Sequence, residues 1–237
     1  MFYFLELLLY SGFLILDGTG RGGLESDLWK WIAVLGCFLQ GLRLSPSFSR
    51  DSHCLTLMLA AATSGDLFLL FSDFPDVGLI FFLLFQTMFS FLLKGGFWGA
   101  GISGTIMLIM AAMGKGTPVL ILAAGYGGWL ICNLIFSWRR FFQQRIPLAL
   151  AVACFLLALC DLHVALFFLY PDVFWFAMAR WLFYLPCLVL LVAVIQRLAK
   201  SARQKAFPLR LPLMIASAAL SADDAGKSDG NLSRFQQ

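Results

Sequence analysis

The chain has 237 residues, of which 61% are apolar and 13% charged, with a formal net charge of +4. Soluble domains carry roughly 45–50% apolar and about 25% charged residues, so this composition excludes a soluble enzyme, a secreted disulfide scaffold and a disordered chain. The basic residues lie between apolar runs and after the last one, not in one patch, which excludes a nucleic-acid module.

Apolar runs at roughly 2–16, 28–44, 54–70, 77–93, 97–113, 118–136, 146–169 and 173–196 predict an all-α, polytopic integral membrane protein of about eight transmembrane helices. The first run carries Glu6 and has no basic residue before it, so it predicts a span or half-span and not a cleaved signal peptide. Glu6 itself is expected either to snorkel toward the headgroups or to mark a misplaced boundary of the run. The third run holds Gly65-Asp66-Leu67 near its end, followed by the turn Phe74-Pro75-Asp76-Val77. Gln86 lies in the fourth run, Gly101-Ile102-Ser103-Gly104 in the fifth and Tyr126 in the sixth. The seventh holds Cys160-Asp161-Leu162 and His163, followed by Tyr170-Pro171-Asp172-Val173, and the eighth holds Arg180 and Tyr184. Asp76 and Asp172 are turn and N-cap residues. The aspartate followed by an aromatic-Pro-Asp-Val turn occurs in both halves, which predicts a parallel 4+4 repeat.

The connections are short, so the chain divides into a helical transmembrane domain over 1–197 and a tail over 198–237. The tail is expected to be cytoplasmic, partly disordered and, around Phe207–Leu220, interfacial, because Pro208 and Pro212 interrupt that stretch. Arg43, Arg50, Lys94, Arg139, Arg140, Arg145, Arg197, Lys200, Arg203, Lys205 and Arg210 fall on the tail's side. Arg21, Lys30 and Lys115 fall on the other. The positive-inside bias then places both termini in the cytoplasm. For a bacterial protein the expected location is the plasma membrane. The six cysteines lie in or beside apolar runs with no CxxC pair, and are expected to be small packing residues, not metal ligands or disulfide partners.

Ionisable residues inside a span are costly and each is a functional candidate. At about 1.5 Å per helical residue, Asp66, Asp161, His163 and Arg180 lie roughly 8–12 Å below the outer face, and Gln86, Tyr126, Glu6 and Tyr184 roughly 12–15 Å below it. Residues from six helices therefore share one layer. His163 is about 200° around its helix from Asp161 and cannot face the same pocket centre; it is expected at a packing or lipid interface. Arg180 and Tyr184, at i and i+4, share a face. Arg180 serves there either as a counter-ion for an aspartate or as a phosphate contact.

Two carboxyl groups at one depth suit general acid–base chemistry, one holding a proton while the other stays ionised. The same pair equally suits a proton or cation relay in a transporter, or a purely structural role in a non-catalytic membrane protein. The Gly-x-Ser-Gly motif around Ser103 matches the pattern of rhomboid-type intramembrane serine proteases. However, Ser103 lies roughly 9 Å from the inner face and His163 roughly 25 Å from it, whereas a Ser–His pair needs about 3 Å. A small-residue packing face over Gly99, Gly101, Ser103 and Gly104 is expected instead.

These residues resemble the lysoplasmalogenase-like (YhhN) family of eight-span proteins. Gly65, Asp66 and Leu69 match its Gly-Asp-x-x-Leu helix end. Gly78 and Phe82 match the start of the following G-x-x-x-F-x-x-x-H-x-x-Y signature, whose His and Tyr positions are Gln86 and Phe89 here. The Ser-Asp of the seventh helix is Cys160-Asp161, and the tyrosine of the last helix is Tyr184, without the glutamine that follows it in the family. The resemblance implies hydrolysis of the vinyl-ether bond of a lysoplasmalogen to a fatty aldehyde and a glycerophospho-base, with no metal or organic cofactor. The substrate would be a lipid taken from the bilayer, with no nucleic-acid partner. Asp66 and Asp161 are then the expected catalytic pair, with Arg180, Tyr184, Gln86 and Tyr126 as substrate-binding residues. Arg180 is a candidate from its position alone, because the family pattern does not include it.

Overall fold

The structure is a computed structural model that describes the backbone of residues 1–20, 22–45, 50–95, 98–114 and 116–232. Side chains are described for the same residues except 203 and 205–232. Arg21 and Lys115, and the side chains of Arg203, Lys205, Arg210 and the 207–220 stretch, lie outside the described residues.

The described residues form eight helices and no strand: α1 (Phe2–Gly18), α2 (Leu24–Leu44), α3 (Arg50–Phe71), α4 (Pro75–Leu92), α5 (Trp98–Ala112), α6 (Pro118–Phe142), α7 (Leu148–Leu169) and α8 (Phe174–Leu232). Turn chemistry sets their ends. Pro75 and Pro118 occupy the first turns of α4 and α6, where a missing N–H costs nothing, and the Thr117 side chain accepts from the Leu120 amide as an N-cap. The N-cap of α4 is Phe74, which places Asp76 inside the first turn instead of at the cap.

Helices α4 and α6 end in the same way. Lys94 and Gln144 take the left-handed conformation, with φ of 51° and 55°. The amides of Gly95 and Arg145 then reach back to the carbonyls of Ser90 and Arg140, the pattern of a Schellman motif without its usual glycine. Arg140 also donates to the Lys94 carbonyl at 2.9 Å, tying the two ends together.

Five helices are long and apolar enough to cross a membrane: α3, α4, α6, α7 and the Phe174–Ala202 part of α8. The outward faces carry large apolar side chains, such as Leu108, Ile135, Phe142, Phe168 and Trp175, each more than half exposed. A water-soluble monomer rarely leaves so much apolar surface uncovered, and these helices are compatible with a multi-pass membrane protein.

Helix α2 starts four residues before its apolar run, because Glu25 and Asp27 favour a helix N-terminus. Helix α8 continues to Leu232 through Pro208 and Pro212, where the prolines predicted a break. Inside the bundle α8 is the central element, packing on α7, α2, α3 and α1 and burying Tyr184, Leu188, Leu191 and Ile195. Helix α5 packs chiefly on α6. Only part of the expected small-residue face makes that contact. A Cβ on Gly99 would collide with the Trp129 indole, and Ser103 is buried beside Gly125, while Gly101 and Gly104 face open space.

Candidate functional site

The site begins at the crossing of α3 and α4. A Cβ on Gly65 would lie 2.8 Å from the Phe82 ring and 3.2 Å from the Gly78 carbonyl, and one on Gly78 would lie 3.0 Å from the Gly65 carbonyl. Two facing glycines let the backbones approach this closely. The next residue, Asp66, is buried at that crossing. Tyr184 on α8 donates its phenolic proton to Asp66 Oδ2 at 2.7 Å.

Asp161 on α7 has a matching partner: Tyr126 on α6 donates to its Oδ2, also at 2.7 Å. The Phe82 ring touches both phenols, 6.1 Å from Tyr126 and 6.3 Å from Tyr184 between centroids. Each carboxyl therefore has one oxygen on a buried phenol; Asp66 is itself buried, while Asp161 is half-buried. The four side chains Asp66, Asp161, Tyr126 and Tyr184 thus form one neighbourhood. Arg180 lies one helical turn before Tyr184 on α8.

Arg180 bridges from there to the surface. Its guanidinium stacks on Phe167 at 5.2 Å, its Nε is buried without a hydrogen-bond partner, and it makes no salt bridge among the described residues. It also lines a cleft of about 350 Å³ between the α1–α2 connection and the start of α8, together with Asp17, Asp27, Lys30, Phe174 and Met178. Lys30 is buried there, bound to Asp17 at 3.0 Å and Asp27 at 3.1 Å, and lies over the Trp181 ring at 5.4 Å. The sequence analysis counts it only among the basic residues opposite the tail; in the structure it neutralises the two acids beside the cleft.

Gln86 faces away from the cleft. It is fully buried and donates from Nε2 to Tyr126 Oη at 3.3 Å. Its carbonyl oxygen accepts from Asn133 at 2.8 Å, and Asn133 in turn accepts from Ser90 at 2.7 Å. Trp129 donates to Ser90 at 2.8 Å. Phe89 packs parallel to Phe85 in the core, with centroids 6.3 Å apart.

Three other residues stand apart. Glu6 does not snorkel: its carboxyl is buried with neither oxygen partnered among the described residues, in space that Gly36 leaves open. His163 contacts the Leu159 carbonyl and packs on Phe183 and Phe176, in keeping with its expected interface position. Ser103 is buried on α5, its hydroxyl without a partner among the described residues. All six cysteines are free.

Sequence reasoning missed Ser90, Trp129, Asn133 and the Lys30 cluster. The signal was present as spacing: Gln86 and Ser90 are four apart, and Tyr126, Trp129 and Asn133 are three and four apart, each set on one helix face.

No family model, no curated protein and no solved structure matches this chain.

Proposed function

We propose that this chain is a divergent lysoplasmalogenase-like (YhhN) membrane hydrolase that cleaves the vinyl-ether bond of an alkenyl lysophospholipid. The observation that carries the reading is the paired geometry of Asp66 and Asp161. They come from separate helices, each is held on one oxygen by a buried phenol, and one aromatic ring touches both phenols. The residues shared with the family also contact one another: Gly65 packs on Gly78 and Phe82, and Gly78 on Leu69. At the family's histidine position Gln86 both donates and accepts.

In this reading one carboxylic acid protonates the β-carbon of the alkenyl ether, giving an oxocarbenium ion. The other, ionised, stabilises that cation and takes a proton from the attacking water. The hemiacetal formed then breaks its C–O bond to glycerol, releasing a fatty aldehyde and a glycerophospho-base. Arg180, open to the cleft, holds the lipid phosphate. Tyr184, Tyr126 and Gln86 hold the acids in place.

The reading includes eight crossings with both termini cytoplasmic and, for a bacterial protein, a plasma-membrane location. The packing pattern supports the 4+4 repeat. Contacts α1–α2, α2–α3 and α3–α4 in one half correspond to α5–α6, α6–α7 and α7–α8 in the other, and the contacts α4–α6 and α8–α2 between the halves correspond to each other. Asp66 and Asp161 then occupy equivalent helices.

The test is aldehyde release by purified protein from an alkenyl lysophospholipid in detergent. The wild type is expected to release aldehyde, and Asp66→Asn and Asp161→Asn each to lose at least about 100-fold, the low end for positioned acid–base catalysis. Release by both variants at the wild-type rate would remove the mechanism. Proton-coupled flux in proteoliposomes that depends on the same aspartates, without aldehyde, would favour a transporter.

A further inference from the structure

The hydrogen bonds behind Asp161 run in one direction only, and two groups with no alternative role set it. The indole Nε1–H of Trp129 can only donate, so Ser90 Oγ accepts from it and passes its own proton to Asn133 Oδ1. The backbone carbonyl of Gln86 can only accept. It takes Asn133 Nδ2 at 3.0 Å, which fixes the Asn133 amide with its oxygen toward Ser90.

The same Nδ2 donates to Gln86 Oε1, so Gln86 turns its Nε2 to Tyr126. Tyr126 accepts there and directs its own proton at Asp161 Oδ2. Gly99, beside the indole, leaves the space in which Trp129 sits. Gln86, Asn133, Ser90 and Tyr126 are all buried, so water does not compete with the bonds among these four.

We infer that Asn133 is a positioning residue, oriented by Ser90 and Trp129, which acts through Gln86 and Tyr126 to hold Asp161 Oδ2 as an acceptor and leave Oδ1 as the oxygen that exchanges protons. The exchange with substrate rests on the proposed hydrolase; the orientation of the carboxyl does not. Asp66 has only its single phenol contact from Tyr184 among the described residues, so the two acids differ in what stands behind them.

The experiment is infrared difference spectroscopy of the full chain in lipid, with the band lost in Asp161→Asn marking one carboxyl and the band lost in Asp66→Asn marking the other. Asn133→Leu and the milder Trp129→Phe are expected to shift the Asp161 band and leave the Asp66 band in place. Ser90→Ala is expected to shift it likewise, and Ser90→Thr, which keeps a hydroxyl, to restore it. An Asp161 band unmoved in both Asn133→Leu and Trp129→Phe would overturn the inference, and so would equal movement of both bands. In the aldehyde assay Asn133→Leu is expected to lower kcat with KM unchanged. If the wild type releases no aldehyde while the Asp161 band still shifts, the hydrolase reading fails and the orientation of Asp161 stands.

Discussion

Tyr184 and Asp66 lie 118 residues apart in the chain and meet at 2.7 Å in the interior, joining α8 to α3 beside the closest approach of α3 and α4. Removing the phenolic hydroxyl in Tyr184→Phe strips a buried carboxyl of its donor. Leaving a buried polar group unsatisfied costs about 1–3 kcal/mol. The variant is expected to lose about 1–3 kcal/mol of stability, read as a lower unfolding temperature in detergent, and to release aldehyde more slowly.

The two glycines at that crossing predict results opposite to those of Gly101. Gly65→Ala and Gly78→Ala each press a methyl group against a backbone carbonyl, at 3.2 Å and 3.0 Å, which no side-chain rotation relieves. Overpacking of this kind costs about 1–3 kcal/mol. Gly101→Ala meets nothing within 4 Å and replaces a helical glycine, so it is expected to stabilise by about 0.5–1 kcal/mol. Thermal unfolding of the three variants side by side checks the ordering.

Bundle helices were legible in the sequence because a run of apolar residues is what a membrane-facing helix requires. Segments three, four and seven match α3, α4 and α7 to within a few residues. The amphipathic start of α2 was not legible, since Leu24–Asp27 carries two acids and breaks the run. The continuation of α8 past Pro208 was hidden for the same kind of reason: proline removes a helix hydrogen bond and signals an end.

For the site, depth along each helix put Asp66, Asp161, Tyr126, Tyr184, Gln86, Arg180, His163 and Glu6 in one layer, but height does not give rotation about the helix axis, and His163 and Glu6 turn to other neighbours. Which phenol meets which acid therefore came only from the packing. Asn133 and Ser90 are not marked in the sequence, because uncharged polar residues cost little in an apolar run, although their spacing puts them on the same faces as Gln86 and Tyr126.

Lys30 holds two carboxylates of unequal exposure, Asp17 at 12% and Asp27 at 28%, while Lys30 itself is 5% exposed. Breaking a buried pair by removing one partner costs about 3–5 kcal/mol, and less where water reaches the survivor. Lys30→Met is expected to fall at the low end of that range. Asp17→Asn should cost more than Asp27→Asn, as read from unfolding temperatures at fixed ionic strength.

Glu6 places two unpartnered carboxyl oxygens in the α1–α2 contact. Replacing an unsatisfied buried polar group by an apolar one of similar size removes its desolvation cost, about 1–3 kcal/mol. Glu6→Leu is expected to raise the unfolding temperature and leave aldehyde release at the wild-type rate. A fall in stability would show that the carboxyl has a partner in the membrane.

The most direct measurement is mass analysis of the product formed in heavy water. Protonation of the alkenyl carbon by an enzyme carboxyl puts one deuterium on the carbon next to the aldehyde, so wild-type protein is expected to release singly deuterated aldehyde within the first turnovers. Asp66→Asn and Asp161→Asn are expected to release none above the uncatalysed background. Aldehyde without deuterium at that carbon, or labelled aldehyde formed equally fast by both variants, would contradict the two-carboxylate account.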